Sequence, residues 1–404
     1  MALTVSLDDI IASGNSLLAI KPHWQRLRLG DVGQVLNGYA FKAELFSREG
    51  GMPLIRIRDV GSAASETFYS GDFDERYVVN AGDLLVGMDG DFNCARWRGP
   101  RSLLNQRVCK ITVDESLYLP RFLDYVLPGY LKAINDATSS ITVKHLSSRT
   151  IQDIPLPLPP MEEQLEIVAE LEKQFSRLDE AVANLQRVKA NLKRYKDSVY
   201  SEAFGHAPNS TLDELIEVGP QNGLYLPKDM YGDGVPILRI DDYQTAWIRP
   251  VQELRRVRAT QEQISTWALC EDDLVVNRVN SMTHLGKCVR IPKSLAGTVF
   301  ESNMMRMRLT AAASPKYVEH YLASRLGKKR LTGNAKWAVN QASINQKDVR
   351  ATPIFVPDLA AQLALVAEID RQLSIAREVE AEVDTNLKRA QALRQATLSK
   401  QFRM

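Results

Sequence analysis

The 404 residues exceed what one average hydrophobic core organises, so two domains with connecting segments are the starting expectation. An apolar share of 45% and a charged share of 25% are those of a chain that folds and buries substantial cores, which excludes a low-complexity tract. A net charge of only +2 excludes a polycation and leaves any nucleic-acid contact to depend on where Lys and Arg are placed.

Residues 1–22 form an N-terminal segment whose apolar residues lack a basic flank. No apolar run approaches the roughly 18 to 20 residues that span a bilayer, so a cytoplasmic protein without a membrane partner is expected. From 23 to 158 short β-type runs, "PLIRIRDV", "DLLVGM" and "RVCKITV", alternate with Gly, Asp and Asn turns, and a helical stretch runs from Pro120 to about Asn135. A mixed α/β domain with a strongly curved sheet is the reading. The prolines of "IPLPLPP" then stop it, and the segment 159–204 carries one long helix over 161–203. After a linker at 205–211, a second mixed α/β domain occupies 212–356, with "PILRI", "DLVVN" and "MRMRL" as strands and Pro315 to about Leu331 as its helix. The segment 357–404 carries a second long helix over 359–401.

The second half restates the first. "TIQDIPLPLPPMEEQLEIVAE" aligns with "RATPIFVPDLAAQLALVAE", placing Pro159 on Pro357, Gln164 on Gln362 and Val168 on Val366 at a constant spacing of 198 that still holds at Phe204 and Phe402. Upstream, "MPLIRIRDV" resembles "VPILRIDDY" and "LPRFLDYVL" resembles "SPKYVEHYL" at spacings from 183 to 198, so loop lengths differ between the halves. Each half is a variable globular domain followed by a proline stop and a long helix.

Apolar residues recur by threes and fours at Val168, Leu171, Phe175, Leu178, Val182, Leu185, Leu192, Tyr195 and Val199, and in the second copy at Val366, Ile369, Leu373, Ala376, Val383, Leu387, Ala390 and Leu393, with Thr397 after them. This is a coiled-coil seam, and duplication at a fixed spacing argues that the two helices pair with each other. A pseudo-twofold repeat makes them antiparallel. Lys189 and Glu380 interrupt the two seams, and their proximity is expected to help fix the register.

Catalytic signatures are missing: no phosphate-cradling glycine loop, no zinc-binding His pair and no nucleophile elbow occur. Cys94, Cys109, Cys270 and Cys288 are scattered without metal-ligand spacing. The acidic "DGDF" of the first half is matched by "VNSM" in the second, which argues against metal chemistry there. What recurs in both halves is a set of hydrogen-bonding side chains in turn-rich segments. These are Lys42, Asp89, Asn93, Arg96, Asn105, Gln106, Thr142, Lys144 and His145, then Arg278, Asn280, Lys287, Asn303, Lys336, Asn340, Gln341 and Ser343. Such side chains contact base edges and phosphates, so they are the candidate DNA-binding residues. Arg56, Arg58 and Arg239, beside Asp59 and Asp241, read instead as internal ion-pair or turn residues.

The duplicated "IPLPLPP" with its downstream Gln and long heptad helix, together with "NRVNSMTHLGKC", "VGMDGDFN" and "LLNQRVCKI", resembles the specificity subunit of type I restriction-modification enzymes over about Trp24 to Phe402. The second copy departs from the pattern, since "FVPDLAAQ" lacks the acidic residue before Gln362. The resemblance implies two target-recognition domains joined by two long antiparallel coiled-coil helices. Each domain would read one half of an asymmetric bipartite target in double-stranded DNA, the helices would set the unread spacer, and phage defence would be the setting. It implies a non-catalytic chain that binds no cofactor itself, with S-adenosylmethionine, ATP and magnesium on partners: two methylation subunits and the restriction subunits. Two other readings stand beside it. A duplicated nuclease would need carboxylate pairs in both halves, which are absent, and a coiled-coil scaffold displaying two non-DNA modules would bind random duplex without salt dependence.

Overall fold

A computed structural model describes residues 6–13, 18–138, 144–244, 247–281, 283–338 and 341–403. The chain divides into two compact units, one drawn from 1–184 and 386–404, the other from 185–385. Each therefore holds one α/β domain, the start of the long helix that follows that domain, and the end of the other long helix. No helix among the described residues is long and apolar enough to cross a membrane.

The first unit is built on an antiparallel sheet of four strands in the order Gly33–Asn37, Val108–Val113, Leu84–Gly87, Cys94–Arg96. Strand Leu84–Gly87 is buried along its whole length, as its unbroken apolar sequence requires. The helix Pro120–Ala137 closes one face, burying Phe122, Leu123, Val126, Leu127, Tyr130 and Ile134, each worth roughly 1.5–3 kcal/mol of transfer free energy. A smaller five-stranded sheet, including Met52–Ile55 paired in parallel with Ser102–Leu104, packs alongside through Ile55, Val79, Trp97 and Leu104.

The second unit repeats this plan with strands Ile216–Asn222, Met304–Leu309, Leu274–Asn277 and Cys288–Arg290 in the same order, and with Tyr231–Leu238 parallel to Val299–Phe300. Its helix departs from the sequence expectation of one run from 315 to 331. It breaks into Pro315–Ala323 and Arg325–Leu331 at Ser324, whose N–H closes the first helix on His320 and Tyr321 while its hydroxyl caps the second by accepting from Gly327 N–H at 3.0 Å. The chain turns so tightly there that a Cβ on Gly327 would lie 2.0 Å from the Tyr321 carbonyl oxygen. The repeated Asn-Gly at 37–38 and 222–223 has a similar cause: a Cβ on Gly38 or Gly223 would sit 2.1 Å from the carbonyl oxygen of Asn105 or Glu301.

Helices Met161–Phe204 and Leu359–Arg403 begin where the proline stops predict. The reason for the shared Gln is a buried three-bond clasp. Gln164, fully buried, donates its amide to the carbonyls of Leu117 (3.1 Å) and Pro159 (3.0 Å) and accepts from Leu119 N–H at 2.8 Å. Gln362, equally buried, donates to Ala312 and Pro357 and accepts from Ser314 N–H. Each glutamine ties the first turn of a long helix to the loop that launches the domain helix. The acidic residue missing before Gln362 has an explanation too. Glu163 binds Lys21 Nζ (2.7 Å) and Trp24 Nε1 (2.9 Å), and the second copy, with Ala361, has Ala207 in place of Trp24. Asn209 takes over there, bonding both ways to the Val356 main chain at 3.1 and 2.8 Å.

Within the second unit the helical segments run antiparallel: Lys189 reaches Asp384 at 2.7 Å, Lys196 reaches Glu380 at 2.5 Å, and Tyr195 reaches Gln372 at 3.2 Å. Lys189 and Glu380 lie near each other, as expected, lining one shallow pocket, while their direct ion-pair partners are Asp384 and Lys196. Tyr195 and Leu393 are corrected, being exposed rather than in the seam. A straight helix gains on a strict heptad by about 20° per repeat, so the stripe moves on to Lys196, Val199 and Ala203, and in the second helix to Arg394 and Phe402. Arg394 lies over Phe175 and pairs with Asp179 at 2.7 Å in the first unit. Phe402 packs on Trp24 and Phe122 there, and Phe204 packs on Tyr317 and Tyr321 in the second.

Gln164→Leu and Gln362→Leu each leave an N–H and two carbonyls without their partner, so each is expected to destabilise its unit by about 1–3 kcal/mol, read as a lowered thermal midpoint. Glu162→Gln, on the exposed face beside the clasp, is the control and leaves the midpoint in place.

Candidate nucleic-acid interface

Strand register brings the candidate segments to one end of each central sheet. In the first unit Cys109 pairs with Asn37, Val108 with Gly87 and Val86 with Cys94, so the loops 88–93 and 105–107 leave from the same edge. Segment 144–149 is laced onto it: Leu146 N–H donates to the Met88 carbonyl (2.7 Å), Gly90 N–H to Lys144 (3.0 Å), and Asn37 Nδ2 to Ser148 Oγ (2.9 Å). In the second unit Asn222, Asn277 and Cys288 mark the equivalent edge, and Ile344 N–H donates to the Arg278 carbonyl at 2.9 Å.

The candidates fall into two physical groups. Several are consumed by the fold. Arg96 donates to Asp124 (2.7 Å) and to the carbonyls of Gly82 and Pro120, so it anchors the domain helix and has no fork left to offer a base. Lys144 Nζ closes the end of that helix on the carbonyl and side chain of Asn135 at 2.7 and 2.9 Å. Lys287 Nζ is held by the carbonyls of Tyr243 and Ile240 over the Tyr243 ring, and burial pulls its ammonium below the usual lysine range. Asn105 is 9% exposed and uses Oδ1 to fix the turn through Gln106 N–H. Asn280 does the same for Ser281 N–H, and Asn303, half-buried, receives Arg278 N–H on its carbonyl. Arg96, Lys144 and Lys287 thus each hold part of the fold together.

Others present unused groups. Lys42, Asn93, Gln106, Lys336 and Gln341 are exposed, and no hydrogen bond or ion pair engages their side chains among the described residues. Lys336–Ala338 and Gln341–Ser343 form a hairpin edge joined to Val279–Asn280, with Lys336 opposite Ser343 and Gln341 opposite Ala338. Lys336, Gln341 and Ser343 therefore share one face. Asp89 pairs with His145 Nδ1 at 2.6 Å and lies 3.5 Å from Arg107 Nε, a network open to solvent on the His145 side. Arg278 bonds Ser302 through Nη1 and keeps a buried Nε without a partner at a cleft it shares with Asn222, Asn345 and Lys347. Thr142 and Asn340 lie outside the described residues.

The sequence reading passed over Arg149 and Lys347, which are exposed at equivalent places beside the two edges; their spacing of 198, that of the glutamine clasp, was the available signal. Arg239 is an internal ion-pair residue, 3.1 Å from Glu301, and Arg56 and Arg58 are, as expected, turn residues, Arg56 opening and Arg58 lying within the short helical turn Ile57–Asp59, with side chains that stay exposed. Among the described residues no group of three or more His, Cys, Asp or Glu could hold a metal ion.

Comparison with known proteins accounts for this architecture. A model of the type I restriction modification DNA specificity domain matches residues 22–193. The EcoBI specificity subunit of Escherichia coli is 33% identical over 96% of this chain and 87% of its own length. The EcoKI specificity subunit of Escherichia coli K12 is 22% identical over 94% and 88%. A chain from a solved type I R-M system, described in terms of complex assembly and conformational transition, superposes with a TM-score of 0.72 at 18% identity, over 95% of this chain and 98% of that one, and so shares the fold. With a duplicated α/β domain, a duplicated clasped helix and a relative of this identity along nearly its whole length, the chain belongs to the DNA specificity subunits of type I restriction-modification systems.

Proposed function

We propose that this chain is the non-catalytic reader of its system, each α/β domain recognising one half of an asymmetric, bipartite site in double-stranded DNA. The observation that carries this is the same sheet edge built twice with different side chains: Asp89, Asn93, Gln106 and His145 on one, Arg278, Lys336, Gln341 and Ser343 on the other. Amide, guanidinium and imidazole groups discriminate base edges in the major groove, and two edges of different composition call for two different words. On this reading the target-recognition domains are 23–158 and 212–356, the segments 159–204 and 357–404 set the unread spacer, and 205–211 links the halves.

Methylation and cleavage then belong to other chains. We assign two methylation subunits and the restriction subunits as partners, docked through the long-helix segments, with S-adenosylmethionine, ATP and magnesium bound by them and no cofactor by this chain. The sequence supports this through its lack of catalytic signatures.

Adenine methylation mapped genome-wide in cells making this chain with its methylation partner is expected to show one asymmetric gapped motif that vanishes when the chain is removed. Exchanging residues 23–158 for another subunit's domain should rewrite only one half of it. An unchanged motif after the exchange would sink the division of labour. At residue level, Gln341→Ala is expected to cost about 1–3 kcal/mol of binding to the mapped site without altering the thermal midpoint. Lys287→Met should do the reverse, lowering the midpoint by the worth of a lost buried hydrogen bond, about 1–3 kcal/mol, while binding by the folded protein is retained.

A further inference from the structure

Arg56 and Arg239 occupy one place in the two units. Each opens a tight turn in which its own N–H donates to the carboxylate three residues on, Asp59 at 2.9 Å and Asp242 at 3.0 Å. The positions around them correspond as well. Asn105 and Glu301 are equivalent, since Tyr39 bridges to Asn105 as Leu224 does to Glu301, and their carbonyls receive Val108 and Met304 N–H in turn. Arg48 and Tyr231 are equivalent, each three residues before a positive-φ glycine, Gly51 or Gly234, whose Cβ would meet a neighbouring carbonyl at 2.3 Å. Arg58 and Asp241 follow from the turn itself.

The chemistry at these matched positions is opposite. In the second unit Arg239 is neutralised: Glu301 accepts from its Nε at 3.1 Å, Asp241 lies 3.8 Å away, and the Tyr231 ring stands 5.8 Å from the guanidinium carbon. In the first unit those three neighbours are an amide and two further arginines. Asn105 spends its oxygen on Gln106 N–H and has no charge to offer Arg56. Arg48, Arg56 and Arg58 therefore converge on an open concavity floored by Phe46, Ser47 and Thr67, with Glu66 as the carboxylate on its wall. Arg58 is steadied by Thr67 Oγ1 at 3.3 Å and lies 3.8 Å from Asp59. The guanidinium groups of Arg48 and Arg56 have no partner among the described residues.

Three clustered guanidinium groups against so few carboxylates repel one another unless an anion sits among them, and a phosphodiester matches their forked donors. The concavity is also continuous with the reading edge, because Asn105 N–H donates to the carbonyl of Ile55, the residue before Arg56, at 3.4 Å. We infer that Arg48, Arg56 and Arg58 form a binding site for DNA backbone phosphate in the first unit; the second unit arranges the matching place differently, with Arg239 held by Glu301 and the exposed Arg255 where the first has Thr67. The inference rests on the DNA-recognition reading above and adds a backbone contact to it: the first half of the site holds phosphate through these three side chains.

The test is binding of the full-length chain to a labelled duplex of random sequence, by fluorescence anisotropy, from about 50 to 200 mM NaCl. Each phosphate neutralised contributes about 0.9 to the slope of log affinity against log salt, so losing the one phosphate seated among the three side chains in R48Q/R56Q/R58Q is expected to flatten the slope by about 1. A second variant, R48Y/R58D/N105E, writes the second unit's Tyr231, Asp241 and Glu301 into the first and is expected to flatten it to a similar extent with the domain still folded, as judged by circular dichroism. A steep wild-type slope that both variants retain overturns this inference and leaves the proposed function standing. A wild-type chain whose affinity does not fall with salt overturns both.

Discussion

Two buried glutamines hold this molecule's organisation together. A proline-ended domain and a helix of more than forty residues meet at one loop, and that loop has main-chain groups buried away from water. Such groups cost about 1–3 kcal/mol each when unpaired. Gln164 and Gln362 satisfy them with a single amide apiece, using both of its chemical ends. Because an amide offers donor and acceptor in a fixed geometry, the clasp sets the direction in which each helix leaves its domain. Everything else repeats around it: the strand order, the Asn-Gly close approach, and the aromatic that ends each helix.

Around that invariant joint the two units differ in how they spend polar groups. Lys287 and Lys144 are cations turned inward, satisfied by carbonyl oxygens, and they shape the loops from beneath. Gln341, Lys336 and Gln106 are turned outward, with no partner for their side chains among the described residues. Glu301 shows how narrow the boundary is, for one carboxylate at that position draws Arg239 into the fold, while the amide of Asn105 leaves Arg56 free. Burial also raises the Glu301 carboxyl above its ordinary range, against the pull of Ile240 N–H and Arg239 that favours the charged form. Recognition surfaces of this kind can diverge quickly, since a change of one charge exchanges a structural side chain for an available one.

The architecture was legible in the sequence because it depends on periodicity and repetition. The 198-residue spacing marked Gln164 and Gln362, and the run from Val168 to Val199 marked the helix, before any coordinates. The site was less legible for a physical reason. Arg96 and Gln106 look alike to a reader of composition, both being polar residues in one turn-rich stretch, and only the position of Asp124 on a distant helix separates an anchored side chain from a free one. The seam failed at Tyr195 and Leu393 for a related reason: a strict heptad count cannot register the drift of a straight helix over six turns. Ser324 was read through for want of any signal that Gly327 must approach the Tyr321 carbonyl.

The aromatic that ends each helix has a temporal side. Phe204 precedes the domain it helps to close, so Tyr317 and Tyr321 find it already made when they leave the ribosome. Phe402 follows the domain it serves by more than half the length of the chain, and Trp24 and Phe122 wait for it through the synthesis of the entire second unit. The first unit, begun earlier, is therefore the later of the two to be sealed, and throughout that interval Trp24 and Phe122 lack the ring that covers them in the finished chain.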